Sequence, residues 1–440
     1  MDWPVVMALM FGALIALMLT GMPIAFSFLL TCIIGALLFW GGSVGLYQLA
    51  MGVFSSVTNF SLLPVPLFIL MGNIIFASGI GARVVEAIDK LLGRMPGRLS
   101  ILTIASGTVL GAMIGISGGS ISVLGRTLLP EMVRRGYDRS LTLGPIVGTG
   151  ILAIMIPPSA LAVFLAAMGG TSAGDLLIAI VLPGLTIAAL SIGYIVLRCL
   201  FNPALAPPYE VQTISPHEKL VVVFRDLLPL AFIIFSVTGV IFLGICTPSE
   251  AAALGALACY LLAACYKRLT WEVIKESAVA TIEITAMIFA IVIGAMIFSR
   301  ILASSGAVQG LIHLLSGGTI SRWAVLLGTQ AVALLLGCFM DPASIVMLTA
   351  PIFVPLVSAL GFDPLWYSVI LLLNIQLGLI TPPLGLDVYT IKAVAASIDP
   401  EATLEDAFRS SMPFFAIGLV VMILIMVFPS LALWLPSLTK

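Results

Sequence analysis

Charge is what this sequence has least of. Only 9% of its 440 residues are Asp, Glu, Lys or Arg, against about a quarter in an ordinary soluble domain. That deficit excludes a water-solvated globule, because with 61% hydrophobic residues too little polar surface remains to face water. No cluster of Lys and Arg is present and the formal net charge is -1, which excludes nucleic acid as a partner, since phosphate binding needs grouped cations. Metal and disulfide chemistry is equally undersupplied. His217 and His313 stand alone, and Cys32, Cys199, Cys246, Cys259, Cys265 and Cys338 are scattered through apolar segments without a CxxC pair, so they read as small core residues. No HExxH is laid out, and an intramembrane enzyme would need a catalytic dyad or metal set. The N-terminus opens Met-Asp-Trp-Pro without a basic leader, so residues 3–20 read as a retained helix and not a cleaved signal.

What is there is a series of long apolar runs. A spanning helix needs about 20 apolar residues, and such stretches fall at 3–20, 22–40, 63–82, 140–168, 174–202, 226–245, 249–266, 277–304, 364–393 and 411–437. Ten crossings are expected. Two further stretches, 99–133 and 321–359, are too long for one span and carry a polar or Gly-rich break at their centres, which predicts re-entrant hairpins. Apart from Arg300, Arg322, Lys440 and the hairpin residue Arg126, every Lys and Arg falls on one side of this scheme. Cytoplasmic loops retain basic residues, so the first hairpin opens to the cytoplasm and the second to the opposite side.

The chain also repeats itself. A shift of 225 residues superposes Pro4 on Pro229, Pro23 on Pro248, Pro130 on Pro355, Pro157 on Pro382 and Pro158 on Pro383, with Gly93, Gly136 and Asp138 falling on Gly318, Gly361 and Asp363. Proline removes a backbone donor and breaks helices, so matched prolines mark matched breaks. An odd number of crossings per half turns the halves opposite ways, the inverted-repeat plan of secondary transporters. The fold class expected is therefore an all-α polytopic membrane protein of inverted repeats, with about ten crossings plus two re-entrant hairpins. Residues 41–60 and 267–276 correspond under the shift and read as interfacial amphipathic arms.

Hairpin tips and broken helices are where backbone polar groups stand free at membrane depth, tolerated only when buried or lining a cavity. The first tip reads Gly115-Ile116-Ser117-Gly118-Gly119-Ser120 and the first break ends Ile156-Pro157-Pro158-Ser159. The second tip reads Gly337-Cys338-Phe339-Met340-Asp341-Pro342-Ala343-Ser344 and the second break Gly378-Leu379-Ile380-Thr381-Pro382-Pro383-Leu384-Gly385. Unwound carbonyls and hydroxyls are hard ligands for a small cation, and half-helix N-termini suit an anion. Sodium with an organic anion is the natural pairing.

These motifs, with Leu129-Pro130-Glu131-Met132 and Thr247-Pro248-Ser249-Glu250, resemble the large membrane subunit of tripartite ATP-independent periplasmic (TRAP) transporters over essentially the whole chain. The resemblance implies an ion-transporter-superfamily elevator fold in a bacterial inner membrane, multi-pass, in which a core slides against a scaffold. It implies scaffold at 1–62 and 220–276, transport core at 63–202 and 277–398, a connecting loop at 203–219 and a C-terminal segment at 399–440. Two protein partners follow: a small four-helix membrane subunit, here a separate chain, and a periplasmic substrate-binding protein that delivers a small organic-acid substrate. About two co-transported Na+ ions are implied and no catalytic cofactor. One sodium site would use Ser117 with backbone near Ala153, Ile156 and Pro158, the other Gly337, Gly378, Thr381 and Leu384. Substrate would lie near Gly119, Ser120, Ser159, Asp341 and Ser344, with Arg126 as a further contact. The first hairpin departs from the family pattern by being about three residues shorter before Leu-Pro-Glu-Met.

Ionisable groups at depth are functional hypotheses. Asp341 either orders its loop, supports a cation or contacts substrate, and loop order or cation support is favoured because a carboxylate repels an anion. Arg126 either forks onto a substrate carboxylate or snorkels to the cytoplasmic face, the latter favoured. Glu283 and Asp387 lie near helix ends or breaks, where solvation is favoured for each over a direct role. Glu250 closes a capping box with Thr247. The alternative function is an autonomous sodium- or proton-coupled dicarboxylate symporter of the same superfamily, which would take up substrate without a binding protein.

Overall fold

The computed structural model describes residues 2–209, 215–316 and 321–438, and the regular secondary structure among them is all helical. Gly318 and Lys440 lie outside the described residues. The chain opens with α1 (Trp3–Leu19), α2 (Ile24–Phe39), α3 (Ser43–Val57), α4 (Pro64–Ala77) and α5 (Ile80–Leu91). The predicted first arm is α3.

Both predicted hairpins form. Helices α6 (Arg98–Ile114) and α7 (Ser117–Arg134) join at Gly115, whose φ of +63° lies in the left-handed region that glycine enters without cost. The chain doubles back there. A Cβ on Gly119 would lie 2.8 Å from Ile114, and one on Gly107 3.4 Å from Leu124, so the arms run antiparallel. After α8 (Arg139–Met155) the chain bends by 48° across residues 156–159 into α9 (Ala160–Gly169). Then come α10 (Ala173–Ala179) and α11 (Val181–Phe201).

The second half follows the same order. It comprises α12 (Pro216–Phe242), α13 (Pro248–Cys265), α14 (Trp271–Ser304) and α15 (Ala307–Ser316), then hairpin α16 (Arg322–Gly337) and α17 (Pro342–Ala359). Next are α18 (Pro364–Gly378) and α19 (Leu386–Ala395), separated by the second break, and finally α20 (Leu404–Val427) and α21 (Ser430–Ser437). The 225-residue shift carries Ser117–Arg134 onto Pro342–Ala359 at both ends. It matches the caps too: Gly136 and Gly361 both have positive φ, while Asp138 and Asp363 both accept backbone N–H groups of the helix they start. The peptide bond of each Pro-Pro pair is cis.

Two expectations are refined. Among the described residues seven helices are long and apolar enough to cross a membrane, one of them the hairpin arm α17, or eight if the bent pair is one span; of the ten stretches read as crossings, three fall short of that test. The reason is length: α1, α2 and α18 have 17, 16 and 15 residues, about 25 Å or less at 1.5 Å per residue, just short of a ~30 Å hydrocarbon layer. The second arm is not separate either. Its residues 271–276 run without a break into the 34-residue α14.

The halves interleave. Helix α14 packs on α2 and α4, where Cys32 donates to the Gly294 carbonyl, Trp40 Nε1 to Ser304 and Asn73 to Thr281. Outward faces stay apolar: Phe232 is 65% exposed on α12, a placement only lipid or a protein partner makes favourable. The Thr247–Glu250 capping box forms as read. One tie joins the foot of α8 to the start of α20: Arg139 forks onto Asp399 (3.0 and 3.1 Å) and reaches Asp406 at 3.1 Å. Partly exposed pairs are individually weak, so Arg139→Gln is expected to lower stability by only about 1–2 kcal/mol, read as a thermal midpoint that falls less in high salt.

Candidate functional site between the hairpin tips

The proline breaks first decide which backbone groups are free. Pro157 and Pro158 have no N–H, so the carbonyls of Ala153 and Ile154, four residues earlier, receive no helical bond. The last regular bond runs from Ile156 N–H to the Leu152 carbonyl at 2.9 Å. The first hairpin rests on this break: a Cβ on Gly111 would lie 2.8 Å from Ala153 Cα, and one on Gly115 3.4 Å from the Pro158 carbonyl oxygen. Glycine is required there because the neighbour is backbone.

At the second break the freed carbonyls find other donors. Thr381 N–H reaches the Gly378 oxygen and Asp387 N–H the Leu379 oxygen, both at 3.1 Å. The Thr381 hydroxyl donates to the Leu377 carbonyl at 2.7 Å and keeps its lone pairs as acceptors. Gly337 and Gly378 stand back to back, 2.5 Å from Gly337 Cα to a Cβ built on Gly378. Leu384, 39% exposed, closes this group.

Both tips meet at one cavity of about 180 Å³. Gly115, Ile116 and Ser117 line it from the first tip and Asp341, Pro342 and Ala343 from the second, with Ile284, Met287 and Ile288 of α14 opposite. Its volume is below that of sites for drug-sized ligands, which start at about 300 Å³, and suits a small solute. A larger hollow of about 680 Å³, lined by Leu228, Phe232 and Leu261 among others, is wholly apolar on the outer face of α12. It carries no charged or hydroxyl side chain, whereas the tip cavity brings Ser117 and Asp341 of the two hairpin tips together, which makes it the functional candidate.

Of the residues named as substrate contacts, Asp341 alone lines that cavity. It spends its oxygens as the cap of α17, accepting Ser344 N–H at 3.0 Å and the Ser344 hydroxyl, which is the loop-ordering role favoured above. Ser344 is buried in that contact. Ser159 is buried and caps α9 through Ala162 N–H. Gly119 packs within its hairpin, and Ser120 is fully buried with no hydrogen-bond partner for its hydroxyl. Arg126 is exposed, about 14 Å along α7 from Ser117 at 1.5 Å per residue, a position that fits snorkelling and not a fork at the tip.

Asp387 is the residue whose sequence context misleads. Expected to be solvated, it is 3% exposed. Its carboxylate accepts the Ser117 hydroxyl at 2.9 Å and Gln376 Nε2 at 2.6 Å. Gly150 makes room, since a Cβ there would lie 2.6 Å from Asp387 Oδ2. The signal available in sequence is position: Gln376 and Asp387 flank the second Pro-Pro pair, and a chain reversing at that break brings its two sides together. Glu283, judged with it, is exposed as expected. Gly115-Ile116-Ser117-Gly118-Gly119 also has the GxSxG spacing of a nucleophile elbow, a pattern that presents its serine on a strand-to-helix turn. Here Ser117 opens the second arm of a helical hairpin and donates directly to a carboxylate, with no histidine as the base.

Residues 11–431 match the model of the family described as tripartite ATP-independent periplasmic transporter, DctM component. The chain is 29% identical, over 98% of each protein, to the C4-dicarboxylate TRAP transporter large permease protein DctM of Rhodobacter capsulatus. It is 29% identical to the ectoine TRAP transporter large permease protein TeaC of Halomonas elongata, over 98% of this chain and 99% of that one. Among solved structures it resembles the YdaH transporter of Alcanivorax borkumensis, described as having an unusual topology, with a TM-score of 0.64 over 90% of both chains. At 16% identity that likeness concerns the fold alone.

Proposed function

This chain belongs to the DctM component family of the tripartite ATP-independent periplasmic transporters, as a large membrane subunit, and on that premise we propose sodium-coupled import of a small organic anion across the bacterial inner membrane. The observation that carries the proposal is the small cavity shared by the two tips. Substrate occupies it, facing Ile284, Met287 and Ile288 of α14. One sodium ion is held by Ser117 with the carbonyls around Ala153, Ile156 and Pro158, the other by Gly337, Gly378, Thr381 and Leu384. The residues fit a hard cation: the donors are hydroxyls and carbonyls, and the Ala153 carbonyl is freed by proline.

The two halves face opposite ways, and the hairpins and broken helices slide as one body against the scaffold, carrying the cavity from one side to the other. A periplasmic binding protein delivers the substrate, and a small four-helix subunit braces the scaffold. Relatives are named for a C4-dicarboxylate and for ectoine, and the cavity volume suits a solute of that size.

Uptake into liposomes containing the chain with its small subunit, supplied with the binding protein, tests the reading. An inward sodium gradient should drive accumulation; sodium-independent uptake would sink the proposal, and full uptake without the binding protein would select an autonomous symporter. Thr381→Ala removes one hydroxyl ligand. Hydrogen bonds and contacts to a charge are worth about 1.5–3 kcal/mol, so half-saturating sodium should rise roughly 10- to 100-fold. An unchanged sodium response would remove Thr381 from the site.

A further inference from the structure

We propose that Asp387 is the charged ligand of a monovalent cation held between the first hairpin tip and the second broken helix, with Ser117 and Gln376 beside it. The argument begins with charge. A buried carboxylate is costly unless a cation or a full set of donors compensates it. Asp387 has neither: it receives one hydroxyl and one amide N–H, both neutral, on its two oxygens. A carboxylate offers about four lone-pair positions. Among the described residues no Lys, Arg or His forms an ion pair with it.

Two further buried oxygens on the same elements are unused. The Gln376 amide that donates to Asp387 has its own Oε1 buried without a partner. Ser120, one turn along α7 from Ser117 and so on the same face, is fully buried with its hydroxyl unpartnered. Buried polar atoms left without partners are costly, and a cation held beside them removes that cost together with the charge imbalance. All the donors are oxygens, which select a hard ion. A single carboxylate balances a single positive charge, and the described residues hold no group of three His, Cys, Asp or Glu that would suit a divalent or transition metal.

The location gives the ion a purpose. Ser117 lines the substrate cavity while its hydroxyl rests on Asp387, and Gly150 of α8 abuts the same carboxylate. A cation there ties the first tip to both broken helices. Ion and substrate then order one loop, and any such coupling is reciprocal. The proposal rests on the sodium-coupled reading only for the identity of the ion.

The test is a binding measurement. The chain purified with its small subunit is unfolded thermally across a sodium chloride series, with choline chloride holding ionic strength constant. For the parent protein the midpoint should rise with sodium. Asp387→Asn, nearly isosteric, should raise the half-saturating sodium concentration at least about 10-fold, as expected for losing a charged ligand, and Gln376→Ala should raise it in the same direction. An unchanged half-saturating concentration in Asp387→Asn overturns this proposal while leaving sodium coupling intact. Should that variant not fold, unchanged values in both Gln376→Ala and Ser120→Ala overturn it equally. A parent protein that neither gains stability from sodium nor needs it for uptake defeats the reading beneath. Uptake driven by a proton gradient and lost in Asp387→Asn, without any sodium response, replaces cation ligation by protonation.

Discussion

Gly378→Ala is expected to abolish transport and to destabilise the chain by about 3 kcal/mol or more. The added methyl would meet Gly337 Cα at 2.5 Å, Gly337 C at 3.0 Å and the Leu334 oxygen at 3.1 Å. All three are backbone, so no side chain can rotate away, and α16 and α18 must separate. Overpacking of this kind typically costs about 1–3 kcal/mol and more when backbone has to move. Function suffers beyond stability, because the contact sets the distance between the second hairpin and the second break, where Thr381 stands. Gly328→Ala is the control on the same hairpin arm: nothing lies within 4 Å of its Cβ, and alanine is the better helix former by about 1 kcal/mol. Thermal midpoints by size-exclusion monitoring and uptake in liposomes read both variants. A Gly378→Ala protein with the parent midpoint and uptake would show that the two helices do not pack as described.

Asp341→Ala carries the second large effect. It removes the cap of α17, worth about 1 kcal/mol, and leaves the buried Ser344 hydroxyl without its acceptor, a further loss of about 1–3 kcal/mol. Together roughly 2–4 kcal/mol of order is lost at a tip that forms part of the cavity wall. Uptake should fall at least about 10-fold. Asp341→Asn discriminates between roles, since its side-chain oxygen still accepts the Ser344 N–H. Recovery of most uptake in Asp341→Asn assigns the residue to loop order; a loss as deep as in alanine assigns it to charge, and so to the ions.

Much of the architecture is legible in the amino-acid sequence. Proline positions mark both breaks, and glycine and serine clusters mark both hairpin tips, because those residue types alter the backbone locally. The Thr247–Glu250 cap is readable for the same reason, its partners being three residues apart. The number of crossings is less legible. Hydropathy sees where apolar residues run, and a cap or break inside a run shortens the helix without changing that average, as in α18.

The residues around Asp387 mark the boundary most clearly. Sequence alone determined a membrane-embedded, twofold-repeated helical chain, since composition and the 225-residue period act through local backbone preference and through the solvent each segment tolerates. Tertiary structure alone decided that Asp387 is buried, that Ser117 from 270 positions away is its partner, and that Arg126 stands outside the tips. Burial and charge compensation depend on which distant segments come together, and no local propensity encodes that meeting.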